Sequence, residues 1–162
     1  MDPHYLSWKM RTLNYKTRFI ELASEINSEM PYFVVDKVRE ALNRQRKAVN
    51  GAPVLLLGVA YKRDIDDVRE SPALDVLKLL VEDGASVSYH DPFVPELRDE
   101  GADLESVELS DSALAEADAV VILTDHSAFD YGRIVREARA VVDARHVAPR
   151  PAGAGPGWIV KG

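Results

Sequence analysis

Cysteine is absent from all 162 residues of this chain. Disulfides, thiolate metal ligands and thiol catalysis are therefore excluded within it. The absence fits a reducing cytosol, and it fits equally the many secreted proteins that lack cysteine. Positive charge is in short supply. Twenty Lys and Arg face 27 Asp and Glu, leaving a net charge of −7. Such a surface repels polyphosphate, so no nucleic-acid partner and no anionic membrane is expected; a local basic pocket for one small phosphate ligand remains compatible with it. Long hydrophobic runs are missing too. The longest, Ala119 to Leu123, is strand length, against the ~20 residues needed to cross a bilayer. The N-terminus carries no charged-then-apolar signal pattern, and a cytoplasmic protein is expected. The four histidines (His4, His90, His126, His146) have neither i, i+4 pairing nor metal-ligand spacing, so no metal site is expected. No G-x-S-x-G elbow for a serine hydrolase occurs.

What is present suits a globular fold. Hydrophobic residues make up 46% and charged residues 29%, a mixture unlike that of disordered chains. The length allows a core without covalent staples. Residues 1–50 carry helical periodicity, and residues 52–147 alternate strand and helix signals, with Asn50-Gly51 as the junction. The expected domains are therefore 1–50 and 51–162. Ala148 to Gly157, rich in Pro, Ala and Gly, reads as a loop.

In the first segment Phe19, Ile20, Ala23 and Ile26 fall on one helical face, with Thr17 as a candidate N-cap. Pro31 lacks a backbone donor and is expected to end that helix or open the next. Val34, Val35, Val38, Ala41 and Leu42 then predict a second helix to about Ala48. These apolar faces have no strands of their own to cover, so packing against another domain or another copy is expected.

In the second segment Pro53–Leu57, Ser86–His90, Ala119–Leu123 and Ala140–Asp143 read as strands, with Trp158–Val160 as a short edge strand. Ser71-Pro72 opens a helix, Ser as cap and Pro at the first helical position. Ser112–Ala117 and Tyr131–Arg139 are the other helices. Alternation of this kind predicts an α/β fold: a small doubly wound, Rossmann-like parallel sheet preceded by a helical segment. Ligands on such sheets gather beyond the carboxyl ends of the strands. The loops after Leu57, His90, Leu123 and Asp143 are therefore the ones to read.

The loop after Leu57 has one glycine, Gly58, and then a charged insertion to Ser71. That is not the G-x-G-x-x-G turn of a dinucleotide site. Lys62, Arg63 and Arg69 beside a helix N-terminus could instead hold an anion. The competing reading is a solvated loop with ion pairs among Asp64, Asp66, Asp67 and Arg69. Arg145, at the end of the fourth strand, either forks onto phosphate or sugar oxygens or pairs with Asp143. Asp125 and His126 are either a proton-handling pair or, for Asp125 or Ser127, a helix cap. Asp91 reads as a turn former.

The run Gly58-Val-Ala-Tyr-Lys-Arg-Asp-Ile-Asp-Asp-Val-Arg-Glu-Ser-Pro72 closely resembles a signature of the UDP-glucose/GDP-mannose dehydrogenase family. Ser88–Pro92 and Thr124–Asp130 resemble later segments of that family's C-terminal domain. Asp2–Lys9, Thr17–Ala23 and Glu25–Asn27 resemble the end of its active-site loop and its central helix. The match is collinear from Asp2 to about His146, and among family members the UDP-N-acetylglucosamine type is nearest, with UDP-glucose and UDP-N-acetylmannosamine enzymes close by. The resemblance implies oxidation of the C6 alcohol of a nucleotide sugar to a carboxylate by two NAD, for surface-polysaccharide precursors. It implies an N-terminal NAD domain, a central helical dimer element and a C-terminal domain for the substrate's nucleotide. The family nucleophile is a cysteine four residues before an aspartate, and that aspartate matches Asp2, an accessory acid. Tyr61 and Lys62 match an aromatic-Lys pair that touches substrate, and Arg145 matches a strand-end arginine on the nucleotide sugar. The NAD fingerprint, the nucleophile and the upstream oxyanion-stabilising lysine and asparagine are not in this chain. It is therefore expected to be inactive alone: a truncated part of a homodimeric UDP-sugar enzyme, dimerising through residues 15–48 or contacting a missing N-terminal domain. The alternatives are a stand-alone nucleotide-binding or interaction module, or a remnant that still folds.

Overall fold

The computed structural model describes residues 18–98 and 103–149, and the backbone of residues 158–161. The chain opens with one long helix, α1 (Arg18–Arg44). It continues through β1 (Pro53–Leu57), α2 (Pro72–Glu82) and β2 (Ser86–His90). A small hairpin of β3 (Glu96–Leu97) and β4 (Leu104–Glu105) follows. Then come α3 (Asp111–Glu116), β5 (Ala119–Ile122), α4 (Tyr131–Glu137), β6 (Ala140–Asp143) and β7 (Trp158–Lys161).

Five strands form one sheet in the order β2-β1-β5-β6-β7, every pairing parallel. The strand signals translate into this sheet with little loss. β5 and β6 are buried at every residue, as strands covered on both faces must be. Side chains alternate between the two faces. Val54, Leu56, Val121 and Val142 join α1 and α2 in one core. Leu55, Leu57, Val120 and Val141 join α3 and α4 in the other. Each fully buried Leu or Val contributes about 1.5–3 kcal/mol relative to exposure. The fold is thus doubly wound α/β, as expected, with a helix leading into it.

The start of α2 is as the sequence predicts. Ser71 caps it, accepting the Ala73 N–H, and Pro72 occupies the first helical position. Two other expectations are corrected. First, Pro31 does not divide the N-terminal segment: a single 27-residue helix runs through it. Proline's φ suits a helix, and what is lost is the donor to the Asn27 carbonyl, at a cost of about 3 kcal/mol. Pro31 is itself buried, as are Val34, Val35, Val38, Ala41 and Leu42 after it, and this packing offsets the loss. Those residues cover the sheet of this same chain, so the second half of the segment does find strands to cover. The first half does not: Phe19, Leu22, Ile26 and Met30 form an exposed stripe. Second, α4 is capped by Asp130, which accepts the Arg133 N–H at 2.9 Å, and not by Asp125 or Ser127.

The hairpin β3–β4 was not anticipated, because two-residue strands leave no period to read. The chain beyond it runs along the edge strand β2, where Val107 N–H donates to the Tyr89 carbonyl at 2.8 Å. Thr17, the candidate cap, lies outside the described residues.

Candidate functional site

Counting only the long parallel strands in chain order, the sheet reads 2-1-3-4-5. The order reverses between β1 and β5, and the crevice beyond their carboxyl ends is where such folds bind ligands. A cavity of about 770 Å³ opens there. The loop after β1 supplies Ala60, Tyr61 and Lys62, and the start of α2 supplies Glu70, Ser71 and Pro72. Leu123 and Thr124 come from the end of β5, and Ala144 and Arg145 from the end of β6. The remaining wall is the middle of α1, including Asn27, Met30 and Pro31.

Tyr61, Lys62 and Arg145 therefore meet in one cavity. Lys62 has no carboxylate partner among the described residues; its ammonium lies 5.3 Å from the centre of the Tyr61 ring, a cation–π contact. Arg145 donates from Nε to Asp125 Oδ1 at 3.2 Å, while its side chain stays half-exposed. The expected alternative partner, Asp143, is occupied otherwise. Its buried carboxylate accepts the backbone N–H groups of Arg145, Val147 and Ala148 and turns the chain after β6. Asp2 lies outside the described residues.

The other loop cations are not at the cavity. Arg69 forks onto Asp67 with bonds of 2.9 and 2.8 Å, which holds the Asp67 carboxyl at about 2. Arg63 lies 3.5 Å from Asp64 and 3.8 Å from Asp125. The solvated-loop reading thus describes Arg63 and Arg69, and the cavity takes Lys62.

The pairing of Asp125 with His126 is also corrected. Asp125 faces the two arginines; His126 turns inward and is fully buried. Its Nε2 lies 3.0 Å from Asp91 Oδ2, and its Nδ1 accepts the Asp64 N–H at 2.9 Å. Asp91 does form the turn read for it, accepting the Phe93 N–H at 2.9 Å, but it also receives Val59 N–H at 2.7 Å and Ala60 N–H at 3.1 Å. Asp64 lies below the usual carboxylate range because Ser127 donates its backbone N–H to Oδ1 at 2.8 Å. Among the described residues no cluster of three His, Asp, Glu or Cys side chains could hold a metal ion. No described helix is long and apolar enough to cross a membrane.

Sequence reasoning missed the α1 wall and Thr124. Of the α1 residues at the cavity, Ile26 and Val34 belonged to predicted apolar stripes. Asn27, Met30 and Pro31 carry no local sign of a ligand.

A doubly wound sheet with two cations in a cavity at its switch point defines a nucleotide-binding class of α/β domain. Within that class, the chain belongs to the UDP-glucose/GDP-mannose dehydrogenase family, whose UDP binding domain model matches residues 55–150. It is 36% identical over 134 residues to an NDP-N-acetyl-D-galactosaminuronic acid dehydrogenase of Ralstonia solanacearum, covering 79% of this chain and 30% of that protein. It is 34% identical over 131 residues to a UDP-N-acetyl-D-mannosamine dehydrogenase of Methanococcus maripaludis, covering 80% of this chain and 27% of that protein. Among solved structures, an NDP-N-acetyl-D-galactosaminuronic acid dehydrogenase of Methanosarcina mazei superposes with a TM-score of 0.74 at 26% identity, over 91% of this chain and 32% of that one. The UDP-D-ManNAc dehydrogenase of Pyrococcus horikoshii superposes with a TM-score of 0.72 at 26% identity, over 90% and 34%. The chain thus spans about a third of the length of the curated relatives it matches, 27–33%.

Proposed function

We propose that this chain is the UDP-binding part of an NAD-dependent nucleotide-sugar 6-dehydrogenase. One observation carries the reading. Lys62 and Arg145, far apart in sequence, line a single cavity in a chain whose residues 55–150 match a UDP binding domain. The diphosphate lies between the two cations. Arg145 forks onto phosphate or sugar oxygens, and Lys62 supplies a point charge. Tyr61, beside the Lys62 ammonium, offers an aromatic face to the sugar. The middle of α1 walls the other side.

In the complete enzyme the C6 alcohol of a UDP-hexose or UDP-N-acetylhexosamine is oxidised to a carboxylate while two NAD are reduced. The NAD does not fit the described residues. After β1 a single glycine is followed by a long charged loop, so no row of backbone amides leads from the strand to a pyrophosphate. This chain also contains no cysteine, and a thiolate nucleophile cannot be replaced by distant groups. The chain by itself therefore produces no NADH from UDP-sugars, with Asp2 an accessory acid to a nucleophile supplied from elsewhere. Residues 1–50 serve dimerisation through the exposed stripe of α1, and residues 51–162 serve the nucleotide. The setting is cytoplasmic synthesis of surface-polysaccharide precursors.

Calorimetry with UDP tests the reading. Binding is expected, and Lys62→Ala and Arg145→Ala should each weaken it about 10- to 100-fold, the worth of one charge-assisted hydrogen bond. No binding at millimolar UDP, or unchanged binding in both variants, refutes it. A second reading, a non-catalytic nucleotide-binding module, draws support from the cavity being walled by this chain's own residues. Low-micromolar UDP affinity of the chain alone favours it, because half a site forfeits convergent contacts.

A further inference from the structure

Tyr61 and Lys62 reach the cavity from a loop that is fastened at both ends from outside the cavity. At its start, Val59 and Ala60 donate their N–H groups to Asp91 Oδ2 at 2.7 and 3.1 Å. At its far end, the Asp64 N–H donates to His126 Nδ1 at 2.9 Å. One ring joins the two fastenings, because His126 Nε2 lies 3.0 Å from the same Asp91 oxygen. A backbone N–H only donates, so Nδ1 accepts and the ring proton sits on Nε2, aimed at Asp91. The ring cannot swing away: it is fully buried, with Phe93 and Phe129 centred 5.0 and 5.5 Å from it.

Within the loop the Tyr61 N–H also donates to the Asp67 carbonyl at 2.7 Å, and on its exposed side Arg63 lies 3.5 Å from Asp64 and 3.8 Å from Asp125. Tyr61, Lys62, Arg63 and Asp64 are all exposed, so burial does not order them. Asp64 also has a left-handed backbone, φ 59°, a conformation that persists only where its surroundings hold it. The Ser127 N–H on Asp64 Oδ1 at 2.8 Å closes the latch from the other side. Thr124 adds a bond of 2.6 Å to the Ala60 carbonyl. Neither His126 nor Asp91 lines the cavity. They act on its contents only through the loop.

We propose that His126, bridged to Asp91, is a positioning residue for the nucleotide: it holds residues 59–64 in the arrangement that presents Lys62 to the cavity Arg145 also lines. This rests on the reading of that cavity as a diphosphate site. Ordering the loop before ligand arrives removes an entropy cost that binding would otherwise carry.

The test is a double-mutant cycle on the full chain with UDP as probe, joined to amide hydrogen exchange without ligand. His126→Gln offers an N–H toward Asp91 but leaves the Asp64 N–H without its acceptor. Exchange at the Asp64 amide is expected to quicken about tenfold or more, and UDP affinity to fall about tenfold. The same fall is expected in an Arg145→Ala background. In a Lys62→Ala background the substitution should change affinity less than about twofold, since the residue it positions is gone. A merely structural role would lower affinity equally in all three, and that result overturns the proposal, as does unchanged exchange with unchanged affinity. If His126→Gln does not fold, Asp64→Ala, which keeps the Asp64 N–H but removes the Ser127 arm of the latch together with the 3.5 Å contact to Arg63, reads the same cycle. Failure of the unaltered chain to bind UDP overturns the diphosphate reading instead. The exchange measurement needs no ligand and still decides the latch.

Discussion

Gly58 and Gly51 hold nearly the same left-handed backbone, φ +79° and +80°, yet only Gly58 faces a wall. A Cβ built on Gly58 would lie 2.5 Å from the Thr124 carbonyl oxygen, 2.7 Å from its Cβ and 2.9 Å from its nitrogen. A Cβ on Gly51 meets nothing within 4 Å. Alanine at either position carries the left-handed penalty of about 1–2 kcal/mol. It also gains the same relief from a less flexible unfolded chain, which cancels in the comparison. Only Gly58→Ala adds overpacking, about 1–3 kcal/mol, because two of the three atoms it meets are backbone at the seam between β1 and β5. Before that shared relief is subtracted, the costs are about 2–5 kcal/mol for Gly58→Ala and about 1–2 for Gly51→Ala. Urea unfolding of both variants beside the parent measures the gap, as a lower midpoint at unchanged slope. In melting temperature the gap is about 2–12 °C for a chain of this size. Equal destabilisation by the two variants would show that β1 and β5 do not approach as closely as described, and the crevice at the switch point would lose its frame.

Three further outcomes are expected. Ser71→Ala removes the cap of α2 at the cavity rim and should cost about 1 kcal/mol in urea unfolding, while Ser71→Gly costs only a few tenths. Burial pushes the Tyr89 and Tyr131 hydroxyls up to about 12; a group raised in the folded state lends stability that is complete below its unfolded value near 10 and is lost as pH rises toward 12. Alkaline denaturation followed by circular dichroism should therefore begin above about pH 10 and be delayed in Tyr89→Phe, which cannot ionise and loses only a 3.2 Å bond to the Val94 carbonyl; an unmoved alkaline midpoint would refute the assignment. The stripe of Phe19, Leu22, Ile26 and Met30 should drive self-association in sedimentation, weakened at least about tenfold by Phe19→Glu with Ile26→Glu. A parent chain that stays monomeric at high concentration would count against it.

Local chemistry was enough for the layered fold. Ser71-Pro72 specifies a helix start whatever surrounds it, and the apolar runs at 53–57, 119–122 and 140–143 suit only strands covered on both faces. The signature around Tyr61 and Lys62 and the strand-end Arg145 were legible for the same reason: motif and fold rule together point to the carboxyl edge. Pro31 was not legible, because a missing donor is a local cost and the burial that offsets it comes from residues far away in sequence. The roles of Asp91 and His126 were hidden likewise. A short acid before proline reads as a turn, and a histidine beside an aspartate reads as its partner, until the fold brings in the backbone they actually bind.

The sequence by itself determined the five sheet strands and the helices between them, since periodicity and end-capping act within a few residues, but neither the β3–β4 hairpin nor the continuity of α1 through Pro31. Tertiary structure alone decided which side chains share a cavity, which carboxylate each arginine and histidine meets, and which half of α1 stays bare. Those choices depend on distances between segments that are remote along the chain, and only the packed sheet sets them.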